Sequence, residues 1–367
     1  MKTRAWVDED GNRLIVDDLQ AGFSWIGSGG EPWLWRIHAT HHAGTDRVIT
    51  SAMADCTVEE DGGGGTYRYR LGSLRVCVKI RRRGGRLFEL GFEIENMGGL
   101  EKVWSIDFPH LVSLRKPRGE TYLCIPFEQG ILVRRPEEAI FQNSFCSHRH
   151  VGTYPGNYSM QFIAYGGEES CLYLAAYDSS GHYKRFHIGR EDGATYFYVA
   201  HHPADPERPR IPYPFVVGTY SGSWLKAAEL YSKWARAQHW SRRRRSKGLP
   251  KWLAETSAWI WNRGASAKVV DAAIRLSEFL RVSTAVDWYW WHSNPYDTML
   301  PEYLPPREGE RAFLEAVEKL HTHGIRAIVY INGRCCDPRS RLFEARSAVE
   351  DRSGVKACLL YTSPSPR

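Results

Sequence analysis

Three short segments hold the residues best suited to chemistry: Trp261-Asn262-Arg263, Asp287-Trp288-Tyr289-Trp290-Trp291-His292 and Tyr330-Ile331-Asn332-Gly333-Arg334. Each mixes flat aromatic faces with amide, carboxylate, imidazole or guanidinium groups. The rings offer apolar area to C–H faces, and the polar groups exchange hydrogen bonds with hydroxyls. The combination suits a ringed, polyhydroxylated ligand held in a concave, largely apolar site. The candidate binding residues are Trp261, Asn262, Asp287, Trp288, Trp290, His292, Tyr330, Asn332 and Arg334. Asp287 leads them, because a carboxylate at a strand end has no packing reason to be there and can grip two adjacent hydroxyls. Packing competes for the rest. Neighbours on a strand face opposite ways, so one or two of Trp288, Trp290 and Trp291 must point into packing, and Trp259 reads as core.

Other chemistries find less support. The histidines pair at His41-His42, His148-Arg149-His150 and His201-His202. Cys146, His148 and His150 would share one strand face, but no fourth ligand at matching spacing offers itself, so no metal and no cofactor is expected. The eight cysteines contain no C-x-x-C pair, and read as reduced and mostly buried rather than as a disulfide framework or zinc ribbon. The glycine clusters Gly27-Ser28-Gly29-Gly30 and Gly62 to Gly65 open no helix and read as loops rather than phosphate cradles. The net charge of +7 owes much to the run Arg242 to Arg245. Ser246, Gly248 and Pro250 interrupt that stretch, so it reads as a solvated linker and no nucleic-acid partner is expected.

Two kinds of element must position these groups. Residues 1–222 read as a large antiparallel sandwich, with short strands punctuated by Gly, Pro and Asn and no amphipathic helix between them. Leu74, Val76, Val78 and Ile80 alternate with Arg75, Cys77, Lys79 and Arg81; Phe88, Leu90, Phe92 and Ile94 alternate with Glu89, Gly91, Glu93 and Glu95. A turn at Arg83-Gly84-Gly85 would set Ile80 opposite Phe88, Val76 opposite Phe92, Lys79 opposite Glu89 and Arg75 opposite Glu93. Further strands are expected at 103–108, 121–125, 159–164, 171–177, 194–200 and 215–220. Residues 223–251 read as a hinge: a helix capped by Ser223, with Trp224, Ala227, Tyr231, Trp234 and Gln238 on one stripe, then the arginine-rich linker.

From residue 252 the period changes to strand, helix, strand, helix, strand: 257–261, 269–280 with Phe279 among its apolar positions, 284–289, a helix with Phe313, Val317 and Leu320 on its inner face and Gly324 at its end, and an apolar strand at 325–331 expected to be buried on both faces. This is the opening of a (β/α)8 TIM barrel, whose ligands bind at the C-terminal ends of the strands. The loop from His292 to Gly309 reads as a lid or rim. Residues 252–357 leave 357 − 251 = 106 residues for the barrel, enough for three β/α units where eight take about 250, so the barrel reads as truncated with an unpaired apolar edge.

The sandwich, the helix from Ser223 to Trp240, the Trp-rich strand Asp287 to Trp291, the loop Leu304-Pro305-Pro306-Arg307-Glu308-Gly309 and the segment Gly324 to Arg334 resemble an uncharacterised family of glycoside-hydrolase-like proteins. That family is similar to α-galactosidases and endo-α-N-acetylgalactosaminidases, and the resemblance spans most of residues 140–340. It implies a galactose-mutarotase-like β-supersandwich before the barrel, a carbohydrate substrate of α-linked galactose type, and a retaining mechanism with two carboxylates about 5–5.5 Å apart. The resembled enzymes place that pair on the fourth and later strands. Neither acid can be carried over here, and Asp287 is carried only as a sugar-binding position. The full-length parent is then a glycosidase and this chain inert. The alternative is a non-catalytic carbohydrate-binding or aldose-epimerase-like sandwich protein, for which His148, His150 or His201 could act in proton transfer; spacing singles out none of them.

The last ten residues, 358–367, resemble a translated sequencing adapter, and read as a non-native tail. The N-terminus has no apolar core of secretory length, so the chain is expected to be cytoplasmic by default, with no membrane contact.

Overall fold

The computed structural model describes residues 3–7, 14–18, 23–25, 33–41, 45–60, 64–113, 119–136, 149–167, 170–191, 194–242, 248, 250–295, 298–332, 337, 339–340, 349–350 and 356–357. Cys146, His148, Arg334, the glycines at 27–30, Arg243 to Arg245 and the segment 358–367 lie outside the described residues, as do the side chains of Arg149 and His150. The chain divides into two compact units, Met1–Ser241 and Arg242–Arg367.

The first unit is built on alternation of apolar and polar residues. Among the described residues, a nine-stranded antiparallel sheet runs in the order Ile131–Arg134, Tyr122–Ile125, Phe162–Gly166, Cys171–Ala176, Phe215–Tyr220, Leu87–Asn96, Leu74–Gly84, Gly65–Leu71, Asp55–Glu60. A seven-stranded antiparallel sheet orders Arg149–Tyr154, Lys184–Glu191, Ala194–His201, Leu100–Asp107, Arg36–His41 and Asp46–Thr50, with Leu111–Ser113 beside Ala194–His201. Their apolar faces share one core. The Trp35 ring meets Tyr69 at 5.3 Å and Phe92 at 6.2 Å, and Phe108 meets Phe215 at 5.5 Å, each contact joining one sheet to the other. A smaller sheet joins Thr3–Val7, Leu14–Asp18 and Phe23–Trp25.

The expected hairpin forms, but its register lies two residues away from the one read from sequence. Ile80 opposes Leu90, Val78 opposes Phe92, Arg81 opposes Glu89 and Lys79 opposes Gly91. The cause is an irregularity between Arg82 and Gly84 followed by a turn at Gly85, where φ is +57°. A two-residue shift leaves every side chain on its own face, so hydrophobic patterning cannot detect it. The ion pairs change partner accordingly: Arg83 reaches Glu89 at 2.5 Å and Lys79 approaches Glu93 at 4.0 Å.

The helix Trp224–Ala235 belongs to this first unit. It lays Ala227 and Tyr231 on Phe162, Tyr173 and Val216, the nine-stranded sheet's second apolar face. Ser223 stands at the N-cap, where its backbone oxygen, not its hydroxyl, receives the Lys226 N–H at 2.9 Å.

In the second unit three strands pair in parallel, Ala258–Arg263 with Thr284–Tyr289 and Thr284–Tyr289 with Arg326–Val329. Helices Ser266–Leu280 and Glu310–Thr322 connect them and cover one face. Val269, Val270, Ala273 and Ile274 from the first helix and Ala316 and Leu320 from the second pack on Val286, Trp288 and Ile325, with Ile260, Ala327 and Val329 at the margin. Arg281 in the left-handed region ends the first helix, and Gly324, with φ +72°, follows the second. The third strand is shorter than expected and is not buried on both faces: Ala327 and Val329 face the helices while Ile328 is 42% exposed. Phe279 and Trp259, expected in packing, are 82% and 45% exposed. Among the described helices, none is long and apolar enough to cross a membrane.

Candidate functional site

The parallel register decides which end residues meet. Trp261 lies beside Asp287, which lies beside Ile328, and Arg263 lies beside Tyr289. Period-two alternation puts Trp259, Trp261, Arg263, Asp287, Tyr289 and Ile328 on the face away from the helices. That face is open, with Trp261 57% exposed. The Tyr289 ring bridges its neighbours, 5.7 Å from Trp261 and 4.2 Å from Tyr330, and the Arg263 guanidinium stands 5.8 Å from the Trp261 ring centre. Asp287 is the one carboxylate among the described residues of this face. Partial burial raises its pKa from the ordinary aspartate value. Trp261, Asp287 and Tyr330 are thus brought together, joined by Tyr289 and Arg263.

Of the other sequence candidates, Trp288 and Asn262 point to the helix side, and Trp290, His292 and Asn332 lie beyond the strand ends. Trp288 is 1% exposed on the helix side, its Nε1 donating to the Gly264 carbonyl at 2.8 Å and its ring packed on Phe313. It is a core residue, because position 288 has the opposite parity to 287. Asn262 shares that parity and holds the following turn, with Nδ2 donating to the Lys268 carbonyl and Oδ1 accepting from the Arg263 N–H. Trp290 breaks the alternation, with φ +51°. A bulky residue there is a backbone outlier, held by Nε1 donating to the Asn294 carbonyl and by the Arg307 guanidinium 3.8 Å over its ring. His292 is 3% exposed, packed edge-on to Tyr303 at 5.3 Å and bridged through its backbone to Pro306. Asn332 is tied through its backbone to the Tyr303 hydroxyl. Arg334 lies outside the described residues.

The segment Pro305 to Gly309 has a positioning role. Arg307 N–H donates to the Trp291 carbonyl at 2.9 Å, and Glu308 Oε2 accepts from the Ser266 N–H at 2.7 Å. A carboxylate at the first turn of helix Ser266–Leu280 satisfies an otherwise unpaired donor and complements the helix dipole. Gly309, with φ +81°, then starts the next helix. The loop fastens the strand ends to both helices.

Residues 210–361 match the model of a family described as Domain of unknown function (DUF6259). A protein of Monosiga brevicollis named "Putative glycoside hydrolase 22789" is 26% identical over 299 residues, which is 72% of this chain and 23% of that relative. One of Bacteroides thetaiotaomicron, named "Putative glycoside hydrolase", is 26% identical over 249 residues, 63% of this chain and 36% of that relative. The chain is similar to these glycoside-hydrolase-like proteins. It spans well under half the length of either relative. The fold is shared with an alpha-N-acetylgalactosaminidase from Bifidobacterium bifidum at a TM-score of 0.61 and 15% identity, covering 96% of this chain and 61% of that one.

The open face offers stacking area, one carboxylate to accept hydrogen bonds from hydroxyls and, at the same strand ends, the Arg263 guanidinium to donate. Among the described residues, no group of three or more His, Cys, Asp or Glu side chains is placed to hold a metal ion. Tyr289 and Arg263 were missing from the candidates read from sequence. The signal was there in the parity: counting by twos from Asp287 and Trp261 reaches both.

Proposed function

We propose that this chain is a carbohydrate-binding portion of a glycoside hydrolase acting on α-linked galactose-type or related sugars. In this reading its first unit is a galactose-mutarotase-like supersandwich and its second unit opens a (β/α)8 barrel, whose sugar site forms where the parallel strands end. Asp287, flanked by Trp261, whose ring is joined through Tyr289 to Tyr330, carries the reading. The rings take the C–H face of a pyranose, and the carboxylate accepts from its hydroxyls.

Hydrolysis of a glycosidic bond by the two-carboxylate route needs an acid and a second carboxylate on opposite sides of the bond. The described open face supplies one carboxylate, and Asp287 is assigned to binding rather than to either catalytic role. The test uses the full chain with 4-nitrophenyl α-D-galactopyranoside and its 2-acetamido counterpart, followed by calorimetry and by nitrophenol release. Binding that disappears in Asp287→Asn, without release of nitrophenol, is expected. Turnover by the unaltered chain would overturn the binding-only role, and binding indifferent to Asp287→Asn would overturn the site.

A further inference from the structure

We infer that the second unit docks further copies of this chain head to tail, the strand Arg326–Val329 and helix Glu310–Thr322 of one copy receiving the strand Ala258–Arg263 and helix Ser266–Leu280 of the next. The three parallel strands leave two edges. Among the described residues, Ala258–Arg263 and Arg326–Val329 each pair on one side only. Such an edge presents a row of N–H and C=O groups to any strand that can reach it.

An apolar helix side continues each edge. Asp271 meets Lys319 at 2.8 Å, which marks the sides by which the two helices face each other. At about 3.6 residues per turn, Leu276 and Leu280 fall on the opposite side of the first helix, with Phe279 at its rim, and all three are exposed. Leu314, 60% exposed, and Val317, partly buried, fall on the opposite side of the second helix. A helix side turned to water is ordinarily polar. The unit therefore has two flanks of like build, each a strand edge beside an apolar helix side.

The two flanks fit each other, and this selects a second copy as the occupant. Within the unit, Trp259, Ala285 and Arg326 lie in one row of the parallel sheet. Repeating that step across a junction sets the exposed Arg326 of one copy beside the exposed Trp259 ring of the next, a cation–π pairing, and lays Leu314 and Val317 along Leu276 and Leu280. Glu310 and Lys268, both exposed, stand in the first turns of the two helices and bring opposite charges to the same end of the junction. A two-fold junction of Arg326–Val329 with itself would cover one flank and leave the Leu276 side open. The head-to-tail contact joins unlike surfaces, so further copies can add at either end.

Sedimentation velocity of the full chain over a wide range of concentration tests this, with two variants. Leu276→Lys with Phe279→Lys blocks one flank, and Glu310→Lys with Leu314→Lys blocks the other. Every substituted side chain is exposed, so both variants should keep the melting curve of the unaltered chain. The mass of the unaltered chain is expected to rise above that of a monomer as concentration increases. Each variant alone should stay monomeric, and an equimolar mixture of the two should form a dimer and nothing larger, because one intact flank of each kind remains. A monomeric unaltered chain, association of either variant alone, or a mixture that is not dimeric overturns the inference. Mass is read without sugar, so this result and the test of Asp287 stand or fall separately.

Discussion

Replacing Lys184 with methionine asks whether an ion pair, as well as apolar packing, clamps the two large sheets of the first unit. Lys184 opens a strand of the seven-stranded sheet with no side-chain exposure, and its Nζ donates to Asp178 Oδ2 at 2.7 Å, Gln161 Oε1 at 3.0 Å and the His182 carbonyl at 2.6 Å. Gln161 and Asp178 border strands of the other sheet. Methionine would keep much of the volume but leave Asp178, 2% exposed, with the Ser180 and His182 N–H groups and the His182 ring. Removing one partner of a buried pair costs about 3–5 kcal/mol, because the other charge is left under-compensated. The pH dependence is the sharper test. Burial lowers the Lys184 pKa from 10.5 to about 8 despite the opposing pull of Asp178. Between those values the unfolded chain binds the proton that the native chain has released, so native stability rises with pH across that window. The gap from 10.5 to about 8, at about 1.4 kcal/mol per pH unit, sets a ceiling of about 3 kcal/mol. Methionine has no proton to release, so the stability difference between the two proteins should widen from pH 8 to 10.5. Denaturant melts of the first unit's transition, followed by circular dichroism at several pH values, measure it. A loss below about 1 kcal/mol at pH 7, or a difference that stays flat across the window, would refute the reasoning.

Other substitutions test the remaining parts. Gly98→Ala would place a methyl group 2.4 Å from the Leu74 backbone nitrogen at φ +61°, and should lower the first unit's stability by roughly 1–3 kcal/mol in the same melts. Trp288→Phe deletes the Nε1–H bond to the Gly264 carbonyl and opens space against Phe313, so the second unit should lose roughly 1–3 kcal/mol while its open face keeps any ligand affinity in calorimetry. Glu308→Ala removes the acceptor for the Ser266 N–H, with an expected loss of roughly 1 kcal/mol and faster amide exchange in the first turn of that helix. On the proposed binding role of Asp287, the ionised carboxylate is the form that accepts from hydroxyls; because burial raises its pKa, sugar affinity should fall as pH drops toward and below that raised value, beginning above the ordinary 3.8. Affinity that stays unchanged as pH falls through 3.8 would remove Asp287 from the ligand's contacts.

Much of this was legible where a short-range rule governs the outcome. The parity of Thr284–Tyr289 marks Asp287 and Trp288 for opposite faces from sequence alone, and the strand forms at the residues expected. Helix Glu310–Thr322 likewise follows from its apolar stripe and the glycine after it. What failed depended on events a period cannot see. The hairpin at Gly84 has two registers that bury the same residues, and only the bulge near Arg83 separates them. By contrast, the strands at Arg36–His41 and Lys184–Glu191 were missed although the signal was present, with Ile37 and Ala39 and with Phe186 and Ile188 alternating with outward polar residues. In the Asp287 to His292 segment, four aromatic rings in sequence look equivalent until Trp290 enters the left-handed region. From there parity no longer holds, and both Trp291 and His292 are buried beneath the loop instead of presented at the strand end. The same residues that break the pattern in sequence therefore mark a division in the fold: one outlier backbone position separates the Tyr289 ring on the open face from the Trp291 ring that packs beneath the loop.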